Sequence, residues 1–334
     1  MTQDKGPRGF VKAEDVARLA GVSRSAVSRT FTPGASVSPA VRQRVQDAAK
    51  ALGYRVNRLA SSLISEKSHL VGVVGANLGT PFISRQLDQL SRGLLSRGMQ
   101  CLLLNAADAD QGIAPLIELI LEFRVRAIVI MSGSPPSSII DECRANGVRV
   151  ILMHRESDDT ATDVIMSDDV GGAKLAADRL LQARCKRPAV VSNGRGTQSQ
   201  MRRRDAFVAR MREFGLDTEI WASGTTSYET GAQAARDLLS DDRLDGVFCV
   251  TDLLALGFLD TAREMGRSVP GQLSLVGFDD IPQSSWLPYH LTTIRQSTSG
   301  IVASVLAAIE RDARPGEAPI HHILPVELVE RSTC

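Results

Sequence analysis

Long apolar runs are missing from this sequence. No stretch reaches the ~18 residues that a membrane-crossing helix needs, so no membrane partner is expected. Cysteine is sparse and scattered. Cys101, Cys143, Cys185, Cys249 and Cys334 form no CxxC pair, which argues against a zinc site or disulfide framework. Five widely spaced thiols fit a reducing, cytoplasmic compartment. Catalytic signatures are missing too: there is no GxSxG, no HExxH, no GxxxxGK[ST], and no GxGxxG after a first strand. The run "GRGT" at 194–197 is too short to count, and His321–His322 fall in a terminal strand. No metal and no cofactor are expected. The opening "MTQDKGPRGF" is polar and lacks the apolar centre of a secretory signal; residues 1–10 are expected to form a disordered arm.

What is present is unevenly charged. The 334-residue chain has a net charge of +1, yet residues 1–67 hold twelve Lys/Arg against five Asp/Glu. A basic head on a mildly acidic body is the asymmetry expected when one end meets nucleic acid.

The head reads as three short helices. "AEDVARLA" (13–20) places Val16, Leu19 and Ala20 on one face, with Ala13 a turn earlier. "GVS" is a turn, and Ser23 can cap a second helix, "RSAVSRTF". Val27 and Phe31 point at the first helix. Arg24, Ser25, Ser28, Arg29 and Thr32 lie on the opposite, polar side. Helix, glycine turn, helix is the helix-turn-helix pattern, whose second helix enters a major groove. Small hydroxyls permit close approach to base edges, and arginines supply phosphate or guanine contacts. "SPAVRQRVQDAAKALGY" adds a third helix with Ser38 as cap, Pro39 at its first turn and Gly53 as stop. The following "RLASSLISE" is helix-compatible, but too short and polar to be stable by itself. Leu63 within it could wedge a minor groove.

"DVARLAGVSRSAVSRTF…VSPAVRQRVQDAAKALGYRVNRLASSL" closely resembles the headpiece and hinge of the lac repressor family of bacterial regulators. That resemblance implies a homodimer on a palindromic, double-stranded operator. It puts Lys12, Ser23, Arg24, Ser25, Ser28, Arg29 and Thr32 at DNA in the major groove or on its backbone. Asn57, Ala60 and Leu63 would approach the minor groove. The expected domains are a headpiece at 11–57, a hinge helix at 58–67, and an effector-binding and dimerisation domain at 68–334.

From residue 69 the periodicity changes. "HLVGVVGA", "CLLLNA", "AIVIM" and "VRVILM" read as buried strands separated by helices, and the rhythm restarts after "DVIMSDDVGGAKLAADRLL". Alternating strands and helices predict an α/β fold with parallel sheets in two lobes. The lobes are set at about 68–166 with 297–324, and about 167–296 with 325–334. "HHILPVELVER" is read as one strand crossing back between them. The family resemblance continues here through "VTDLLALGFLDTAREMGRSVPGQLSLVGFDDIP" and "LTTIRQ". It implies the fold of periplasmic sugar-binding proteins, with a small carbohydrate-like effector between the lobes.

Asp279 ends a strand and could accept two sugar hydroxyls, or merely cap a turn; the resemblance favours the sugar. The resemblance also carries Arg203 to the ligand, Thr251 to a ligand-binding position and Gln296 to a lobe crossover that touches ligand. Asp252 either binds ligand or caps its helix. Phe82 is a candidate apolar wall. His154 and Arg155 end a strand where relatives often carry Asp or Asn before Arg; with Arg203 they raise the option of an acidic sugar derivative. Thr226 stands where some relatives stack an aromatic, a role open to Tyr228 or Trp286. The expected function is an allosteric repressor, dimeric because no leucine-heptad tail follows "ELVERSTC". The alternatives are an α/β enzyme and a sugar-binding protein with no regulatory DNA binding.

Overall fold

The computed structural model describes residues 10–32, 34–56, 68–106, 112–133, 135–157, 162–194, 196–311 and 318–334. The chain divides into two compact units, Met1–Ser68 and His69–Cys334.

The first unit holds three helices: α1 (Ala13–Ala20), α2 (Arg24–Phe31) and α3 (Pro39–Leu52). Their ends follow the local chemistry. Gly21 and Gly53 take left-handed backbone, φ 62° and 66°, where a side chain would be strained. Ser23 accepts from the Ala26 N–H and Ser38 from the Val41 N–H. Val16, Val27 and Val45, one from each helix, are fully buried at the centre. The Arg42 guanidinium donates to the Thr30 and Ala35 carbonyls and so ties α3 to the end of α2. Leu19 departs from expectation. It is 56% exposed, and Ala17 takes its place in the core. At 100° per residue, Val16, Ala17 and Ala20 share an arc from whose centre Leu19 is rotated by about a quarter turn or more.

The second unit contains β1 (Leu70–Gly75), α4 (Pro81–Ser96), β2 (Gln100–Asn105), α5 (Ala114–Glu122), β3 (Ala127–Ile130), α6 (Ser137–Ala145), β4 (Arg149–Met153) and β5 (Asp163–Ser167). There follow α7 (Asp169–Gln182), β6 (Pro188–Ser192), α8 (Gln198–Glu213), β7 (Glu219–Ala222), α9 (Tyr228–Leu238), β8 (Gly246–Cys249), α10 (Asp252–Glu264) and β9 (Ser274–Asp279). A 3-10 turn, Pro282–Ser285, leads to β10 (Thr293–Gln296), α11 (Thr298–Glu310), β11 (His321–Leu324) and β12 (Val326–Val329).

Two six-stranded sheets result, in the orders β11-β5-β4-β3-β1-β2 and β12-β10-β9-β8-β6-β7. Every pairing is parallel except β10 with β12. Buried parallel strands read as unbroken apolar runs, as "AIVI" in β3 does. Val129 faces one layer of the first lobe, and Ile128 and Ile130 face the other. The second lobe centres on Phe207, Phe248 and Phe278.

The chain passes between sheets three times: after β5, after β10 and after β11. The terminal stretch read as one strand is therefore two. Pro325 separates them, lacking an N–H for either ladder, and the chain changes sheets across it.

Candidate functional site

The head presents a polar helix face. Ser23, Arg24, Ser25, Ser28, Arg29 and Thr32 are all exposed along α2, while Val27 and Thr30 turn inward. Lys12, also exposed, is the residue before α1, and its backbone N–H donates to Asp15 at 3.0 Å. The hydroxyls are locally organised. Ser23 and Ser25 lie 2.9 Å apart, and Thr32 Oγ1 donates to the Ser28 carbonyl at 2.9 Å. Arg24 sits 3.7 Å from Glu14 with both side chains well exposed, an ion pair of little strength that DNA could displace. Asn57, Ala60, Leu63 and the whole of 58–67 lie outside the described residues.

In the second unit, the polar residues gather at the C-terminal ends of the parallel strands, where open α/β sheets bind ligands. His154 follows β4, Ser167 ends β5, Ser192 ends β6, Thr251 follows β8, Asp279 ends β9 and Gln296 ends β10. One hydrogen-bonded chain links the two lobes. Ser167 Oγ donates to Gln296 Oε1 at 2.7 Å, and Gln296 Nε2 donates to Asp279 Oδ1 at 2.7 Å. Arg203 reaches the same oxygen at 3.2 Å, and also donates to the Val250 carbonyl and to Asp169 Oδ1. Its guanidinium lies 3.7 Å above the Phe278 ring. Arg202 takes the other Asp169 oxygen at 2.7 Å. Asp279 Oδ2 accepts no bond from any described residue.

Electrostatics follow from burial. Asp279 is pushed up to about 8 by desolvation, with the Arg203 guanidinium pulling the other way. Burial lowers His154 to about 4; Asp169 opposes that shift, and Arg203 and Arg202 add to it. The His154 imidazole, neutral at physiological pH, meets Gln86 Oε1 at 2.9 Å and leans on Phe82, ring centres 5.6 Å apart. Phe82, a first-lobe residue, packs against the second-lobe core. Arg155 donates to the Gly133 carbonyl.

Asp252 is tied into the protein instead. It is fully buried, and its oxygens accept from the Ile281 N–H, Ser284 Oγ and Thr293 Oγ1. It neither caps α10 alone nor leaves an oxygen for ligand; it fastens three segments of the second lobe. Tyr228 donates its hydroxyl to Asp260 at 2.7 Å, and Trp286 is 53% exposed, so the stacking role has no support from either. Thr226 Oγ1 accepts from Asn193 and Gln200.

Sequence reasoning missed Gln86, Asp169, Ser192, Asn193 and Arg202. Several carry buried atoms without a protein partner: Gln86 Nε2, Ser192 Oγ and Asn193 Oδ1, as does Thr251 Oγ1. Buried polar atoms are normally paired, so orphans gathered at strand ends mark a surface for a polar ligand. The available signal was a polar residue directly following an apolar strand, as in "VVSN". Among the described residues, no group of three His, Cys, Asp or Glu suits a metal ion, and no helix is long and apolar enough to cross a membrane.

Residues 13–57 match the model of the bacterial regulatory proteins of the lacI family. The chain therefore carries a lacI-type DNA-binding domain at its head. Residues 177–334 match the periplasmic binding protein-like domain. The regulator GalS of Salmonella typhimurium is 28% identical over 289 residues, covering 86% of this chain and 85% of GalS. The ribose operon repressor of Lactococcus lactis is 25% identical over 324 residues, covering 96% and 97%. A crystal structure of the lac repressor dimer, bound to operator and an anti-inducer, shares the fold: TM-score 0.86, 22% identity, 97% and 99% of the two chains. With its lacI-type DNA-binding domain, and with relatives that are transcriptional regulators, the protein is accordingly a DNA-binding transcriptional regulator.

Proposed function

We propose that the protein is a homodimeric repressor whose operator affinity is set by a neutral, polyhydroxylated, sugar-like effector held between the two lobes. The head supplies Lys12, Ser23, Arg24, Ser25, Ser28, Arg29 and Thr32 to the operator, and Asn57, Ala60 and Leu63 to the central minor groove. The cleft supplies Phe82, His154, Arg155, Arg203, Thr251, Asp279 and Gln296. Binding DNA implies a cytoplasmic protein.

One observation carries the choice of a neutral ligand. Most of the cleft's positive charge is already matched or absent: Arg202 and Arg203 share Asp169, Arg203 also meets Asp279, and His154 is held uncharged, while Arg155 donates to the Gly133 carbonyl. An acidic effector would have to displace buried carboxylates from their guanidiniums, leaving them unpaired at a cost of several kcal/mol. A hydroxylated ligand costs nothing of the kind. Its O–H groups can donate to Asp279 Oδ2 and satisfy the orphaned polar atoms. The names of the relatives, which include a ribose operon repressor, point to the same ligand class.

Effector binding shifts the lobes about the three crossings and so changes the operator-competent dimer. The coupling required is ~1–3 kcal/mol. The test is thermal stabilisation and operator release, or retention, with ribose, galactose, glucose, cellobiose, gluconate and glucose 6-phosphate. A response confined to neutral sugars is expected; a response confined to the two acids would overturn the ligand class.

A further inference from the structure

Gln86 is out of place on its helix. The stripe Phe82, Gln86, Leu90, Leu94 runs along α4 at four-residue steps, the spacing of one buried face. Leu90 and Leu94 fill the first-lobe core, and Phe82 reaches the core of the second lobe. Between them sits a glutamine at 0% exposure. One end of its amide meets His154 Nε2 at 2.9 Å. The other end bonds to no described residue. Exchanging the amide oxygen and nitrogen does not help, because one end still faces the imidazole and the other is still orphaned. A core that needed only packing would carry leucine here.

His154 is held where it meets the amide. Its backbone sits in the left-handed region at φ 61°, its N–H donates to the Ile165 carbonyl at 3.0 Å, and its ring rests on Phe82. Only one of its ring nitrogens is engaged by Gln86, so the imidazole orients the amide without consuming it.

Resting on the sugar-like ligand proposed above, we infer that the orphaned end of the Gln86 amide reads one hydroxyl of the effector, with His154 as its positioning residue. A hydroxyl can donate or accept, so it satisfies either end of the amide. A fixed amide also discriminates. An epimer whose hydroxyl points elsewhere leaves a buried polar group unpaired, and sites built on hydrogen bonds reject such ligands strongly. Gln86 is then a specificity-determining residue that weakens the empty protein.

That last consequence separates the inference from a structural role. The full-length wild type, Gln86→Leu, His154→Phe, their double variant and His154→Asn are compared by melting temperature without ligand and by titration with ribose, galactose, glucose and cellobiose. Without ligand, Gln86→Leu made in the His154→Phe background, where no imidazole is left unpaired, melts at or above the temperature of His154→Phe alone. With the best wild-type sugar, Gln86→Leu by itself binds at least tenfold more weakly and separates the four sugars less. His154→Phe shows the same loss. His154→Asn, which tolerates left-handed backbone and can still bond the amide, recovers part of it. A lower melting temperature for the empty Gln86→Leu, His154→Phe double variant than for His154→Phe overturns the inference and needs no ligand. So does unchanged sugar affinity in Gln86→Leu, with the sugar-like ligand left standing. A wild type that binds none of the sugars but binds gluconate or glucose 6-phosphate removes the ligand class and this inference together.

Discussion

Arg203 is the residue on which the cleft turns. It is buried, and it joins Asp169, Asp279, the Val250 carbonyl and the Phe278 ring. Replacing it with methionine keeps the aliphatic stem but takes one guanidinium from the buried Asp169 and a hydrogen-bond donor from Asp279. Loss of one partner of a buried pair costs ~3–5 kcal/mol. Arg203→Met should therefore lower the unfolding free energy extrapolated from urea titrations by that amount and abolish the effector response. His154 gives a pH signature. Its folded pKa is about 4 against 6.5 ordinarily, so between those values the unfolded chain holds a proton that the folded chain refuses. Stability should fall as pH drops from 6.5 toward 4, by at most about 1.4 kcal/mol per pH unit. His154→Asn should flatten that slope in urea titrations run at successive pH values. Arg203 and Asp279 were legible in the sequence through the resemblance. Gln86 and Arg202 were not, because a glutamine or arginine inside a helix looks like a solvated residue until its neighbours are known. Asp252 misled for a related reason: a helix-starting aspartate gives no sign of the three donors that converge on it from elsewhere.

At the scale of elements, α9 and α10 depend on two glycines. A Cβ at Gly231 would lie 2.0 Å from the Leu254 carbonyl oxygen, and one at Gly257 would lie 1.9 Å from that of Tyr228. Both obstacles are backbone, so no rotamer change relieves them. Gly231→Ala or Gly257→Ala should destabilise by ~3 kcal/mol or more, beyond the usual range for an added methyl, with the loss read from thermal melts. Exposed glycines such as Gly98 should behave differently, since only their positive φ resists substitution. The elements themselves were largely readable, because strands covered on both faces write continuous apolar runs and helix caps carry their own residues. The last stretch reads as one strand across the lobe boundary set at 324/325, so its break into two strands at Pro325 was not readable. Its two halves pair with strands far apart in sequence, β5 and β10, and local pattern carries no information about which sheet a strand joins. Leu19 was misplaced for a similar reason: a short helix admits two neighbouring arcs, and the packing of α3 selects one of them.

For the whole molecule, the basic head and acidic body make DNA binding a salt-dependent event. Each phosphate neutralised contributes a slope of ~0.9 in log affinity against log salt. The two arginines of α2 divide the work by position. Arg24 opens the helix, where residues of a recognition helix meet base edges, and Arg29 lies in its last turn, where the proposed reading gives it a phosphate. On that reading, Arg29→Gln removes two phosphate contacts from a homodimer. It should weaken operator and random DNA alike and lower the salt slope by ~1.8. Arg24→Gln should instead narrow the gap between operator and random DNA, by ~1–3 kcal/mol per base contact, with a smaller change of slope. Fluorescence anisotropy across a salt series measures both quantities in each variant. Equal effects of the two substitutions on slope and specificity would mean that the helix lies along the groove in another register. Neither substitution should alter sugar affinity in the absence of DNA, because neither side chain belongs to the cleft. With operator present, linkage requires the sugar's effect on operator affinity and the operator's effect on sugar affinity to agree in size. That equality should persist in Arg29→Gln, whose loss is electrostatic, and it ties the head's chemistry to the cleft's through one measurable coupling.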